Sequence, residues 1–388
     1  MNHEIVIVAA TRTALGSFGG SLSSIPAHKL GSLVIKEIIK RSKINFDEID
    51  EVILGQVLTA GCGQNPARQA SVNAGIPISK PAHIINQVCG SGLRAVISGY
   101  QSIKLGESNN VISGGQESMS LAPHSIFYRD EKKISEDRLL DTMVNDGLID
   151  AFNNYHMGVT AENVAKKFDI TRQEQDEFAL KSQKKTELAI ANNKFNEELV
   201  KINHNGNILD TDEHPRIGLK ISDLEKLKTV FQDNGTITPG NSSGINDGAA
   251  ALLLTSLEEA EKKLIKPLVK IVSWSSIGVD PSVMGLGPIE AVREASKKAN
   301  WNLDEIDLFE INEAFASQSI AVIRELGIEE NKVNINGGAI ALGHPIGASG
   351  ARILVTLIHE MKRQKKNKGC ATLCIGGGMG IALCVERI

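Results

Sequence analysis

Short apolar runs alternate along the chain with longer segments in which apolar residues recur every three to four positions. The short runs have the length and composition of buried strands, and the longer segments have the spacing of one apolar helix face. This pattern predicts strands at residues 5–9, 51–55, 110–113, 269–275, 308–312 and 371–376. It predicts helices at residues 29–42, 92–105, 288–299 and 350–363. Such alternation is typical of an α/β fold with mixed sheets.

The same motifs occur twice along the chain, in the same order. The letters DEID stand at residues 47–50 and again at 304–307, and SGLRAV at 91–96 resembles SGARIL at 349–354. VISGGQES in the first part aligns in the same way with CIGGGMG in the second. Matches that keep their order and nearly their spacing indicate an internal duplication. The sequence therefore predicts two related halves, each with a mixed sheet.

A long insertion separates the two halves. It is polar, with a helical segment at 171–192 and a turn-rich stretch at 203–216. Segments of this composition often form loops over a site. We expect three regions: a first half at 1–118 that is completed by about 245–268, a loop insertion at 119–244, and a second half at 269–388.

Composition narrows the possible functions without identifying one. The 388 residues carry 42 Lys and Arg against 46 Asp and Glu, so no basic surface for nucleic acid is expected. No apolar run reaches the roughly 20 residues of a membrane helix, and the first residues resemble a strand and turn rather than a signal peptide. Five cysteines, an odd number, suit the reduced thiols of a cytoplasmic protein. No Cys or His spacing fits a metal site, so we expect none.

The stretch NQVCGSGLRA places Cys89 where an apolar strand turns into a helix. N–H groups at a helix start favour an anion, so this position is expected to lower the thiol pKa from about 8.5 toward neutrality. A catalytic nucleophile fits this position. The alternative is a small residue that is present only for packing.

Two further segments are expected to meet Cys89 because the halves are related. The turn GHPIGASG precedes the second copy of the Cys89 helix, which would bring His344 toward the thiol as a base. Cys374 also ends a strand before consecutive glycines, in the equivalent place of the second half. His344 has a second interpretation as an ordinary turn residue. Two cysteines in equivalent positions suggest two roles, an acyl carrier and a proton carrier.

The chain resembles the thiolases in these segments and in several others. NQVCGSGLRA, GGQESMS, NEAF, GGAIALGHPIGASG and CIGGGMG look like the signature segments of that family, and HMGVTAEN, GNSSGINDGAAA and MGLGP extend the match. The resemblance follows the whole chain in order. It implies the duplicated thiolase fold, with two related mixed-sheet halves in an α-β-α-β-α layered arrangement and an inserted loop domain.

The resemblance implies an acyltransferase that acts on coenzyme A esters through an acyl-enzyme. Cys89 would attack a first acyl-CoA with His344 as base, and Cys374 would then deprotonate acetyl-CoA for attack on the acyl group. His344 and a water held by Asn312 would bind the enolate oxygen, and the N–H groups of Cys89 and Gly376 the tetrahedral oxyanion. One such donor is typically worth about 10²–10³ in rate. Coenzyme A esters are then substrates, and no cofactor is expected.

The resemblance also implies contacts to coenzyme A. Ser243 would contact the pantetheine amide, Arg216 the adenine and phosphate end, and His156 with Met157 the thioester end. Arg216 has a second interpretation as a solvated loop residue, and His156 as a satisfied loop histidine. The serine that follows this arginine in the family aligns with Asp223, which would alter one adenine-side contact.

HMGVTAEN resembles the short-chain thiolases, in which only acetyl or acetoacetyl fits the acyl pocket. The expected reaction is the reversible condensation of two acetyl-CoA to acetoacetyl-CoA and CoA. Three alternatives stay open: a broad-range degradative 3-ketoacyl-CoA thiolase, a ketoacyl-synthase-like enzyme, and a noncatalytic acyl-CoA binder. The resemblance further implies a homotetramer, a dimer of dimers, with strand contact near residues 110–113.

Overall fold

The computed structural model describes residues 4–128, 139–204 and 206–388. Its strands are β1 (Ile5–Thr13), β2 (Gly16–Ser17), β3 (Glu51–Gly55), β4 (Ala82–Ile85), β5 (Asn110–Ser118), β6 (His124–Ser125), β7 (Leu140–Asp141), β8 (Leu199–Val200), β9 (Ile202–His204), β10 (Asn207–Leu209), β11 (Asn246–Ser256), β12 (Val269–Gly278), β13 (Leu308–Ile311), β14 (Lys368–Ile375) and β15 (Met379–Glu386). Its helices are α1 (Ala27–Ser42), α2 (Pro66–Ala74), α3 (Ser91–Leu105), α4 (Met157–Lys167), α5 (Arg172–Ala191), α6 (Ile221–Glu225), α7 (Leu257–Lys262), α8 (Gly287–Ala299), α9 (Ala316–Leu326), α10 (Ala339–Leu342) and α11 (Ser349–Gln364).

Eleven of the described strands form one mixed sheet, in which the two halves repeat the same order. The first half runs β1-β11-β5-β3 and ends at β4, and the second half runs β12-β15-β14-β13. In both halves the first two pairs are antiparallel and the third is parallel. Identical order and direction confirm the duplication that the repeated motifs predicted.

The last aspartate of each DEID copy accepts hydrogen bonds from the backbone at the start of a strand. Asp50 accepts the N–H groups at residues 109–110, at 2.8 and 3.1 Å, where β5 begins. Asp307 accepts those at residues 367–368, at 2.9 and 3.0 Å, where β14 begins. The repeated letters therefore mark a repeated hydrogen-bonding role.

Helices lie in three layers around the two halves of the sheet. α1 and α2 share a core with the strands of the first half, and α8 and α9 share one with the strands of the second. α3 and α11 lie between the halves, in a core that takes residues from strands of both. This is the predicted α-β-α-β-α arrangement.

The two central helices meet at glycines close to their N-termini. A Cβ atom on Gly92 would lie 2.7 Å from the Ala351 backbone N, and one on Gly350 would lie 2.5 Å from the Leu93 backbone N. Backbones can approach this closely only where neither residue has a side chain. The contact sets the start of α3, directly after Cys89, against the start of α11.

We expect Gly92→Ala to lower the free energy of unfolding by about 1–3 kcal/mol, the usual cost of overpacking. The added methyl group would meet backbone atoms, which cannot rotate away. Urea unfolding midpoints would measure the loss. Gly278→Ala is the matched control, because a Cβ there has no atom within 4 Å. Equal midpoints for the two variants would contradict this account of the helix contact.

The insertion is anchored to the first half by a buried ion network. Arg12 of β1 donates to Glu198 at 2.6 Å and to both carboxylate oxygens of Asp212 at 2.7 and 3.0 Å. The predicted polar helix is α5, whereas the turn-rich stretch also contains the hairpin of β9 and β10. β11 pairs with β1 and β5, in the first half of the sheet. The domain boundaries themselves stay predictions.

The predicted strand contact near residues 110–113 is wrong as a sheet edge. β5 is paired along its length with β11 on one side and with β3 on the other, so its backbone groups are already used. The edge of this half is β4, which pairs only with β3 in the described sheet. Across the described ranges, no helix has the length and apolar character to cross a bilayer.

Candidate active site

Cys89 sits on a tight elbow between β4 and α3. Its neighbour Val88 has a φ of 44°, which is uncommon for a β-branched residue and typically costs about 1–3 kcal/mol. Hydrogen bonds hold the elbow: Asn86 Oδ1 accepts the Val88 N–H at 3.0 Å, and Ser91 Oγ accepts the Gln87 N–H at 2.8 Å. The Cys89 side chain lines a cavity of about 230 Å³.

His344 enters the same cavity from the turn before α11. Its Nδ1 lies 2.6 Å from Ser349 Oγ, which donates its single proton to the Pro345 carbonyl oxygen. Nδ1 must therefore carry the proton in this contact, which makes Nε2 the acceptor atom of the neutral ring. Nε2 is buried and has no partner among the described residues. A base at this atom is free to accept a proton in the cavity.

Burial keeps the His344 ring neutral. Desolvation, helped by the nearby positive charge of Arg352, lowers the pKa of His344 to about 3. The ring therefore stays unprotonated across the neutral range, as a proton acceptor requires.

The predicted lowering of the Cys89 pKa is wrong for this cavity. Burial raises the pKa of the Cys89 thiol to about 11. The N–H groups of Gly376 and of Cys89 itself point at the sulfur and oppose the rise, but desolvation outweighs them. The thiol accordingly keeps its proton, and the two N–H groups can stabilise negative charge that forms on or next to the sulfur.

Cys374 and Asn312 lie behind the cavity wall, at the carboxyl ends of the parallel strands β14 and β13. Cys374 is fully buried and packs with Met157 and Phe315. Burial, with a smaller effect from Cys89, raises the pKa of its thiol above the ordinary range. Asn312 Nδ2 lies 3.5 Å from His344 Nδ1, and its Oδ1 is buried with no partner in the described chain. A bound water fits this unpaired oxygen.

The cavity brings together six of the nine residues for which the sequence predicted a role: Cys89, His156, Met157, Ser243, His344 and Gly376. Its remaining wall is mostly apolar, formed by Met119, Gly147, Leu148, Val230, Phe231, Pro239, Ser242, Gly244, Ile245, Met284, Ala314, Phe315 and Ile346. A thiol, a neutral imidazole and inward N–H groups in an apolar cavity are suited to acyl transfer. Over the described ranges, no group of three or more His, Cys, Asp or Glu side chains could hold a metal ion.

Family models cover nearly the whole chain, with the N-terminal domain of thiolase at residues 5–258 and the C-terminal domain at residues 265–387. The chain belongs to the thiolase family. It is 54% identical over 392 residues to the cytosolic acetyl-CoA acetyltransferase of Rattus norvegicus, with 100% of this chain and 99% of the relative covered.

Solved thiolase structures match the fold equally well. The acetyl-CoA acetyltransferase of Bacillus anthracis superposes with a TM-score of 0.97 at 42% identity, over 100% of this chain and 99% of that one. The human mitochondrial 3-ketoacyl-CoA thiolase in complex with CoA gives 0.96 at 39% identity, over 100% and 98%.

His156 of this thiolase caps a helix and also lines the cavity, so the interpretation as a satisfied loop histidine is confirmed, and the contact with the thioester end stays a prediction. Its Nδ1 accepts the Gly158 N–H at 3.0 Å and so caps α4, which leaves the ring proton on Nε2. The ring also stacks on Phe231, with centroids 4.5 Å apart, and lines the cavity. Burial lowers the pKa of His156, so the ring is a neutral donor at neutral pH.

Arg216 and Asp223 lie away from the catalytic cavity of this thiolase. The Arg216 side chain is exposed, and its backbone N–H donates to Gln183 Oε1 at 2.9 Å. Asp223 accepts the Lys220 N–H at 3.1 Å and so caps α6. Helix capping accounts for an aspartate here, whereas the predicted contact of Arg216 with coenzyme A stays a prediction.

Most residues of the apolar cavity wall were not predicted from the sequence. Leu148, Val230 and Phe231 belong to the insertion, where no motif or periodic pattern marks them. The glycine in HMGVTAEN is the one indirect indication of Phe231 in the sequence. A Cβ on Gly158 would lie 2.2 Å from the Phe231 ring, so a larger residue there would clash with it.

Proposed function

We propose that this thiolase is an acetyl-CoA C-acetyltransferase, which condenses two acetyl-CoA reversibly to acetoacetyl-CoA and CoA by a ping-pong mechanism through an acetyl-cysteine. The observation that carries the proposal is the convergence of the Cys89 thiol, the unpartnered Nε2 of His344 and the Gly376 N–H on one apolar cavity. Relatives that are named acetyl-CoA acetyltransferases match the chain over its full length, which supports the proposal.

In the first half-reaction Cys89 attacks the thioester carbon of acetyl-CoA, and His344 Nε2 takes the thiol proton. The high pKa of the thiol and the low pKa of the ring keep the proton on sulfur until substrate is bound. As the tetrahedral intermediate forms, its oxyanion accepts hydrogen bonds from the Cys89 and Gly376 N–H groups. The C–S bond to CoA then breaks, and the proton on His344 goes to the CoA sulfur.

In the second half-reaction a second acetyl-CoA binds in the cavity, and Cys374 first passes its thiol proton to His344 Nε2. The resulting thiolate then removes a proton from the methyl carbon of acetyl-CoA. The enolate oxygen accepts hydrogen bonds from the Nε2–H that His344 now carries and from a water on the unpaired Oδ1 of Asn312. The carbanion attacks the acetyl carbon on Cys89, and the C–S bond to Cys89 breaks. The Cys89 sulfur takes the proton from His344 Nε2, and Cys374 keeps the proton from the methyl carbon, so acetoacetyl-CoA leaves a regenerated enzyme.

The coenzyme A arm of the substrate would run along the insertion. The Ser243 N–H is already bonded to the Ala314 oxygen, but its hydroxyl makes no hydrogen bond within the described chain and lines the cavity. This hydroxyl suits the pantetheine amide. The Nε2–H of His156 suits the thioester end, and exposed Arg216 the phosphate end.

Substrate length is tested by following CoA-dependent cleavage of acetoacetyl-CoA and of longer 3-ketoacyl-CoA esters through the loss of ketoacyl absorbance. Activity confined to acetoacetyl-CoA supports the proposal. Comparable cleavage of long chains would identify a broad-range degradative thiolase instead. No cleavage of any ester would favour the synthase-like or binding alternatives.

We expect Met157→Ala to shift specificity about tenfold toward 3-ketohexanoyl-CoA relative to acetoacetyl-CoA, in kcat/KM. Met157 is buried beside Gly376, with its sulfur 3.6 Å from the position of a Cβ there, so truncation opens space at the reacting end. Steady-state kinetics on both esters would measure the shift. Met361→Ala is the control, because Met361 is buried in α11 and does not line the cavity. An equal shift in both variants would refute a specific role for Met157.

We further propose a cytoplasmic homotetramer, a dimer of dimers, that uses no cofactor or metal. The rat relative is named as a cytosolic enzyme, which supports the location. For strand contact between subunits the first half offers the free edge of β4. Activity that is retained after dialysis against a chelator would support the absence of a metal. A mass of four chains from light scattering would support the tetramer.

A further inference from the structure

Glu117 is a fully buried carboxylate beside the catalytic cavity to which the proposed mechanism gives no task. It lies at the end of β5, in the segment GGQESMS, and does not line the cavity. Burial raises its pKa to about 8. Burying a carboxyl group costs free energy, so its hydrogen bonds must account for its presence.

Those bonds join two separate backbone segments. Glu117 Oε2 accepts the N–H of Val57 at 2.9 Å and that of Gly347 at 2.9 Å, and Oε1 accepts the N–H of Leu58 at 3.3 Å. Val57 and Leu58 follow β3 of the first half. Gly347 belongs to the second half, between His344 and the Ser349 hydroxyl that orients its ring.

The turn that carries His344 is pressed against the first half at this point. A Cβ on Gly115 would lie 2.2 Å from the Gly347 oxygen, and one on Gly347 would lie 2.6 Å from Glu117 Oε2. Asn246 of β11 holds the other end of the turn, since its Oδ1 accepts the His344 N–H at 2.9 Å. The turn is therefore fastened at both ends by side chains of the half that carries Cys89.

We propose that Glu117 is a positioning residue, which sets His344 Nε2 at the distance from Cys89 that proton transfer needs. The proposal rests on the proposed function for the role of His344. A shift of about 1 Å in a catalytic group can cost about 10²-fold in rate, so the loss of this fastening acts on kcat. Glu117 does not touch substrate, so KM is not its main effect.

The test compares Glu117→Gln, Glu117→Asp and Glu117→Ala. Val57 and Gly347 share one oxygen, so a glutamine oxygen in that place keeps both bonds. An aspartate keeps the carboxyl group but is one methylene too short. We expect kcat to fall less than about fivefold in Glu117→Gln and about 10²-fold in the other two, with KM within about twofold of wild type. Aspartate more active than glutamine would overturn the proposal, since the presence of a carboxyl group rather than its position would then matter.

A second measurement distinguishes the positioning role of Glu117 from a contribution to folding stability alone. The rate at which iodoacetamide alkylates Cys89 is expected to fall with kcat, because His344 assists loss of the thiol proton. Asp307→Ala is the control: it also removes a carboxylate that accepts two backbone N–H groups, far from the cavity, and we expect its kcat and alkylation rate to match wild type.

If Glu117→Ala does not fold, Glu117→Asp decides the question. A folded Glu117→Asp with wild-type kcat and alkylation rate would overturn the proposal. Wild-type protein without acetoacetyl-CoA cleavage would instead refute the proposed function, and the alkylation rates would still test the placement of His344.

Discussion

Cys89→Ala protein is expected to form no acetyl-enzyme and to lose on the order of 10⁴-fold or more in turnover. The methyl group of alanine cannot bond the acyl carbon. The elbow that carries Cys89 places no second nucleophile in the cavity. The other cavity groups, His344 and the Gly376 N–H, remain in place, so only covalent catalysis is removed. Mass spectrometry after mixing with acetyl-CoA measures acetylation, and acetoacetyl-CoA cleavage measures turnover.

Cys62→Ala is the matched control for this experiment. Cys62 is half-buried and lines a different cavity, and its sulfur is bonded to local carbonyl groups. Acetylation and turnover of this variant should equal those of wild type. An acetyl group that still appears on Cys89→Ala protein would contradict the assignment of the nucleophile.

Cys374→Ala protein is expected to acetylate normally on Cys89 but to lose about 10²–10⁴-fold in acetoacetyl-CoA formation, the usual contribution of a general base. Alanine cannot take the methyl proton from the second acetyl-CoA. The first half-reaction uses His344 instead, so it persists. Mass spectrometry of the acetyl-enzyme and the exchange of methyl protons with deuterated water separate the two steps.

Cys370→Ala provides the comparison within the same strand. Cys370 is also buried in β14, but it faces Cys384 across the β14–β15 ladder and not Cys89. Its loss should leave both half-reactions intact. Proton exchange at the wild-type rate in Cys374→Ala protein would remove Cys374 from the carbon–carbon step.

Much of the fold could be predicted from local patterns in the sequence. Apolar spacing predicted six strands of the sheet and the helices α1, α3, α8 and α11, but not the strands β4, β11 and β15. The two DEID copies and the two SG-starting helices predicted equivalent halves. Such features survive in a sequence because each depends on residues close together along the chain. Gly92 and Gly350, near the starts of the two SG-starting helices, make the contact of α3 with α11.

The errors concern properties that depend on distant residues. Residues 110–113 look like any other strand, and only the pairing of β3 and β11 on its two sides removes it from the edge. The pKa of Cys89 was predicted from its place before a helix, but the surrounding apolar wall determines it. Phe231 and Leu148 reach that wall from parts of the insertion that carry no motif.

The sequence by itself determined the α/β class, the duplication, the family and the identity of the candidate catalytic side chains. Only the tertiary structure decided which of them share a cavity, that the His344 ring is neutral with Nε2 free, and that Glu117 joins the two halves behind it. The physical reason is that burial and long-range hydrogen bonds belong to the folded arrangement. Desolvation of a thiol or an imidazole depends on every neighbour that excludes water, and those neighbours are far apart in the chain.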